Sequence, residues 1–156
     1  AGSAFQSATP GSGTGTGYTL DSYEEGTFTA TLHGADSASE PATLVTTTAS
    51  YTKVGNRVYF DIGFENIDTT GPTTNYSGAI NISGMPFANN GARSVVDFIP
   101  YSSTLWSSGQ ITAIIGSGST SISLYSIATG GTWVPATHSA GTGRYFWLGG
   151  SYKTDA

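Results

Sequence analysis

A chain of 156 residues suits one domain, and at that size roughly two-thirds of the unfolded surface can be buried around a single core. Charged residues make up only 10% of the chain, with a net charge of −5, and the five basic residues (Lys53, Arg57, Arg93, Arg144, Lys153) are scattered, which excludes the clustered basic face of a nucleic-acid binder. With no cysteine, disulfides and thiolate chemistry are excluded, and no apolar run approaches the roughly 20 residues of a membrane-spanning helix, so no membrane insertion is expected.

Residues 1–17 end in Thr9-Pro-Gly-Ser-Gly-Thr-Gly-Thr-Gly17 and offer little to bury, so they read as a flexible linker to something that precedes them. Residues 18–156 read as one β domain. The chain carries no signal peptide and does not start with Met, which reads as a fragment or processed product. Asp21 to Glu25 suits a turn or short helical cap, after which Phe28, Ala30 and Leu32 alternate as a strand. His33 to Pro41 is a loop. Thr43 to Thr52 is rich in Thr and prone to strand.

That segment feeds the strongest local signal. Gly55-Asn56 tolerates the positive φ of a two-residue hairpin turn, and Val58, Phe60, Ile62 and Phe64 then alternate with Arg57, Tyr59, Asp61 and Gly63. The turn fixes the register: Val54 opposes Arg57, Lys53 opposes Val58, and Tyr51 opposes Phe60 as an aromatic cross-strand pair. Residues 65–76 form a loop punctuated by Gly71-Pro72, and Ser77 to Ser83 is a strand. Arg93 to Tyr101 is another, with Asp97 facing away from the core. Gln110 to Gly116 and Thr120 to Ile127 form a second hairpin. Residues 128–142 are irregular. Arg144 to Thr154 is the last strand, and its run Tyr145-Phe-Trp-Leu148 implies burial on both faces, with Phe146 and Trp147 in the core or at a subunit interface.

Eight to ten short strands with turn signals between them and no convincing helix give an all-β sandwich or barrel. We expect an antiparallel, single-domain β-sandwich of jelly-roll-like form with the hairpin as its spine.

No catalytic residues are expected. Glu24 and Glu25 are adjacent, so on a strand they diverge. His33 and His138 lack a Gly-x-Ser-x-Gly elbow, and two histidines without cysteine make a poor zinc site. Asp68 and Glu65 lack a calcium-loop pattern, so no metal and no cofactor are expected. Sugar recognition needs aromatic faces beside planar polar groups on a preformed surface. The loop aromatics Tyr76, Tyr101, Trp106 and Trp133 are the candidates, with His138 and Arg144 as polar partners. The alternative for Trp106 and Trp133 is a plug at the end of the fold or a subunit contact.

Four stretches together carry a family likeness. Leu20-Asp-Ser-Tyr-Glu-Glu-Gly-Thr-Phe-Thr-Ala-Thr-Leu32 resembles the opening of the C-terminal domain of tailed-phage tail fibre and tailspike proteins, and Tyr51-Thr-Lys-Val-Gly-Asn-Arg-Val58 resembles the hairpin that follows it there. Ile82-Ser-Gly-Met-Pro-Phe87 and Gly150-Ser-Tyr-Lys-Thr154 fit the same set. The resemblance implies a homotrimer at the tip of a virion fibre, outside the cell, trimerising and binding a host-surface glycan. Two other readings stay open: a trimerisation module without receptor binding, and a monomeric carbohydrate-binding module of a secreted glycoside hydrolase.

Overall fold

The computed structural model describes residues 23–71, 74–101, 110–127 and 130–155. Nine strands run through them: β1 (Tyr23–His33), β2 (Thr46–Val54), β3 (Arg57–Ile67), β4 (Asn81–Ser83), β5 (Ser94–Tyr101), β6 (Gln110–Ile115), β7 (Ser121–Ile127), β8 (Trp133–Pro135) and β9 (Arg144–Lys153). A single 3-10 turn, Ser37–Ser39, is the only helical element among the described residues.

The fold is all-β and antiparallel, as expected. Its backbone pairing does not divide into two stacked sheets. One sheet runs β4-β1-β2-β3-β9-β5-β6-β7, and β4 pairs with β7 as well, closing eight strands into a barrel. Closure leaves no free edge along the circuit, and eight strands leave an interior that side chains can fill. The closing strand is only three residues long: Ile82 pairs with Leu32 on one side and Ile122 on the other. β8 takes the part of the β7 edge that β4 does not reach.

The interior follows from the alternation. Val58, Phe60, Ile62 and Phe64 point inward from β3, Phe146, Leu148 and Tyr152 from β9, and Ile122 and Leu124 from β7, all essentially buried. The hairpin register matches the expected one at all three pairs. The aromatic pairing does not: Tyr51 packs its ring against Phe28 and Phe87, while Phe60 faces Tyr152. Near the end of β3 the register shifts between Phe64 and Ile67, where Asn66 takes φ 50°. A bulge with a residue in the left-handed region turns Ile67 back into the core, and Asn tolerates that conformation.

Two expected local features change. Tyr23 to Glu25 is strand, not cap, because pairing with β2 outweighs local preference. The strand expected from Ser77 begins only at Asn81.

The barrel has unlike ends. The Gly55-Asn56 turn, the β6–β7 turn and the β4–β5 connection lie at one end, where β1 also begins and β9 finishes. The long connections, residues 34–45, 68–80 and 136–143, lie at the other.

Candidate functional site

The long-loop end carries a cleft of about 370 Å³ on the outer side of the barrel, between the loop after β1, β4, β7 and β8. Outward-pointing residues of neighbouring strands build it. His33 pairs with Asn81, and Asn81 with Ser123, so three polar side chains lie in one row. Asn81 Nδ2 donates to Ser123 Oγ at 3.1 Å. Asp36, Glu40, Tyr125 and Pro135 complete the lining.

A hydrogen-bonded chain fixes one wall. His33 Nδ1 lies 3.0 Å from Glu40 Oε1, and His33 Nε2 lies 2.8 Å from Ser83 Oγ. The carboxylate accepts, so Nδ1–H is the donor to Glu40, and Nε2 faces the Ser83 hydroxyl, which can give or take a hydrogen bond. Glu40 also accepts from the Gly34 N–H at 3.2 Å, which ties the loop to the strand end. The order Ser–His–Glu is that of an acyl-transfer triad, but such a site also needs main-chain donors aimed at the reacting oxygen. Ser83 sits on β4 between two paired strands, and the Met85 N–H is bound to Thr120 O. The chain of bonds ties the loop after β1 to the strand ends and so holds the cleft wall in shape.

Beside the cleft stands an aromatic pair. Trp133 on β8 is 48% exposed, and its ring centroid lies 5.7 Å from that of Tyr125 on β7. Val134 is exposed next to it. The site thus offers a rigid apolar face adjoining acceptors and donors from Asp36, Glu40, His33, Asn81 and Ser123.

The expected site residues separate. Trp133, read from the sequence as a loop residue, lies on β8 and reaches the cleft through its contact with Tyr125. Trp106 lies outside the described residues. Tyr101 is 66% exposed, but on the outer face of β5, where it meets Tyr145 edge-on. Tyr76 does not reach the surface: it is 1% exposed, its hydroxyl donates to Leu32 O and it accepts from the Val45 N–H. A residue so enclosed has no face to offer a sugar. His138 stacks on Tyr76 at 5.1 Å and donates from Nε2 to His33 O at 2.8 Å, so it backs the wall from behind. Burial holds its pKa below the ordinary histidine value. Arg144 is buried and donates to Ser139 O and Ala140 O, which makes it a loop clamp.

The acidic candidates also separate. Glu24 accepts from Tyr51 and Glu25 from Tyr23, on opposite faces. Asp68 turns back on Thr70, and the Thr70 hydroxyl and N–H lower its pKa. No group of three or more metal-ligating side chains occurs among the described residues.

Sequence reasoning missed Asn81, Ser123 and Tyr125 as site residues. Their outward phase was legible, but that β1, β4 and β7 become neighbours was not. Neither a family model nor a curated protein sequence matches this chain.

Proposed function

We propose that the chain is the distal domain of a phage tail fibre or tailspike, which binds a host-surface glycan in the cleft beside Trp133 and assembles as a homotrimer. The observation that carries this reading is the exposed Trp133 packed on the half-buried Tyr125 beside a polar cleft. Sugar rings lay their C–H faces on aromatic rings and direct their hydroxyls to planar polar groups, here Asn81, Glu40 and His33. A volume of about 370 Å³ is near the lower end for ligand clefts and suits a short stretch of glycan. Such a site is weak by itself, and three copies on one tip gain by effective concentration.

Two further observations support the assembly. Val95, Ile99 and Tyr101 on β5 are 72%, 64% and 66% exposed, and Trp147 on β9 faces Ile99 across the ladder. Asp97 is exposed between Val95 and Ile99, so the face is apolar around one carboxylate, and such a patch is usual where another chain covers it. β1 begins and β9 finishes at the tight-turn end, so in this reading the fibre shaft joins there and the cleft at the long-loop end faces away from it.

The test is a glycan screen on host envelope fractions with the intact protein, alongside its native mass by light scattering. Binding that Trp133→Ala or Tyr125→Ala reduces at least tenfold, in a particle near three times 16.0 kDa, is the expected result. A trimer that binds no envelope component leaves a trimerisation module. A glycan-binding monomer favours a module of a secreted glycoside hydrolase.

A further inference from the structure

Three of the five basic residues, scattered in the sequence, meet in the fold. Arg57 at the start of β3, Lys153 at the end of β9 and Arg93 just before β5 line one surface cleft of about 440 Å³, together with Gly91, Ala92, Ser94, Val95 and Ser151. No carboxylate lines it, and none of the three cations makes an ion pair with a carboxylate among the described residues. The chain carries a net charge of −5, so a wholly cationic cleft runs against its average.

The cleft is built as well as charged. Arg57 Nε donates to Ser151 Oγ at 3.2 Å, which sets the direction of its guanidinium. The loop bearing Arg93 is held by Asn89, whose side chain is buried. Its Nδ2 donates to Ala92 O, Ile115 O and Gly116 O, and its Oδ1 accepts from the Gly91 N–H. The Asn90 N–H adds a bond to Lys153 O at 3.0 Å. Gly91 lies close against the Lys153 stem, where a Cβ would come within 3.3 Å of Lys153 Cβ. Both the loop and the strand end are thus fixed before any ligand arrives, and a fixed array loses little entropy on binding.

We propose that this cleft is an anion site that takes a phosphate group. Three cations lining one cleft match in number the three free oxygens and suit the near-double charge of a phosphomonoester. A carboxylate presents two oxygens and one charge, and would leave one cation unmet. The Ser94 and Ser151 hydroxyls are further donors of the type phosphate accepts. The site lies at the tight-turn end, apart from the Trp133 cleft, and does not depend on the glycan reading.

The test is calorimetric titration of the intact protein at low ionic strength with inorganic phosphate, glucose 1-phosphate and N-acetylneuraminate. Phosphate binding in the range of about 1 mM or tighter is expected, weakening as salt is raised. Arg93→Gln should weaken it about tenfold, and the triple variant Arg57→Gln, Arg93→Gln, Lys153→Gln should abolish it. All three side chains are exposed, so circular dichroism of the triple variant should match the parent. Trp133→Ala should bind phosphate as the parent does, which separates this site from the glycan cleft. Tighter binding of glucose 1-phosphate than of inorganic phosphate identifies a phosphorylated sugar as the source, and equal binding identifies free phosphate. Absence of phosphate binding at about 10 mM, unchanged binding in the triple variant, or tighter binding of N-acetylneuraminate would each overturn the proposal.

Discussion

Gly63 and Trp147 face each other across the β3–β9 ladder, and the indole lies where a side chain at position 63 would go. A Cβ on Gly63 would come within 3.1 Å of Trp147 Cδ1. The indole N–H reaches on to Glu65 Oε1 at 3.3 Å, so the ring is laid flat along the outside of the barrel. Gly63→Val must lift it. The barrel interior lies on the other side of the sheet, so the unfolding free energy should change by no more than about 1 kcal/mol. Self-association should weaken at least tenfold if the β5–β9 face carries it, as read by sedimentation equilibrium. An unchanged mass, with tryptophan fluorescence showing the ring displaced, would move the interface to another face.

Tyr76→Phe tests whether the buried tyrosine is structural. The phenol oxygen serves two main-chain groups, the Val45 N–H at 2.8 Å and Leu32 O at 3.1 Å. Removing it leaves the part-buried Val45 N–H unmet, at a cost of about 1–3 kcal/mol in urea unfolding. The Trp133 cleft should keep its affinity within about twofold, because the tyrosine ring still supports His138.

The hairpin was legible because its determinants are local: a Gly-Asn turn and eight residues of strict alternation fix phase and register together. The closure was not. β4 spans three residues, and its partners lie some fifty positions back and forty ahead, where no local pattern points to them. The aromatic candidates show the same limit. Tyr76 and Trp133 both follow Gly- and Thr-containing stretches, yet one is sealed in and the other exposed. What separates them is whether a distant main chain, Leu32 and Val45, meets the ring's polar atom. The basic cluster is likewise a product of pairing, since Arg57 reaches Lys153 only through the β3–β9 ladder.

Asn89 is expected to be the most sensitive polar residue of the tight-turn end. Its amide nitrogen serves three carbonyls, and the side chain is fully enclosed. The Gly118 N–H also binds its carbonyl, so the β4–β5 and β6–β7 connections meet on this one residue. Asn89→Ala leaves several acceptors unpaired, together with the Gly91 N–H, and should lower the unfolding free energy by about 2–4 kcal/mol. Asn89→Asp keeps the size and the bond from Gly91 but sets a carboxylate against three carbonyls, so it should be no better. If Asn89→Ala unfolds within about 1 kcal/mol of the parent, the loop is held by other contacts, and Arg93 is less fixed than the geometry suggests.

Stability should fall on mild acidification, and His138 is the reason. Its Nε2–H is committed to His33 O, while its Nδ1 is buried without a hydrogen-bond partner among the described residues, so a second proton would be enclosed there. Burial lowers the pKa, opposed in smaller measure by the bond to His33 O and by the charge of Glu40. A histidine whose folded pKa lies below its unfolded value binds fewer protons when folded than when unfolded over the interval between the two. Unfolding free energy therefore stands at its full value above the unfolded pKa, near 6.5, and declines as pH drops through the interval to the folded pKa. Melting temperature should be level between about pH 7 and 8 and begin to drop as pH falls below about 6.5. His138→Gln should flatten that drop, because the amide can still donate to His33 O but does not titrate. A drop of the same size in His138→Gln would assign the acid sensitivity to another group.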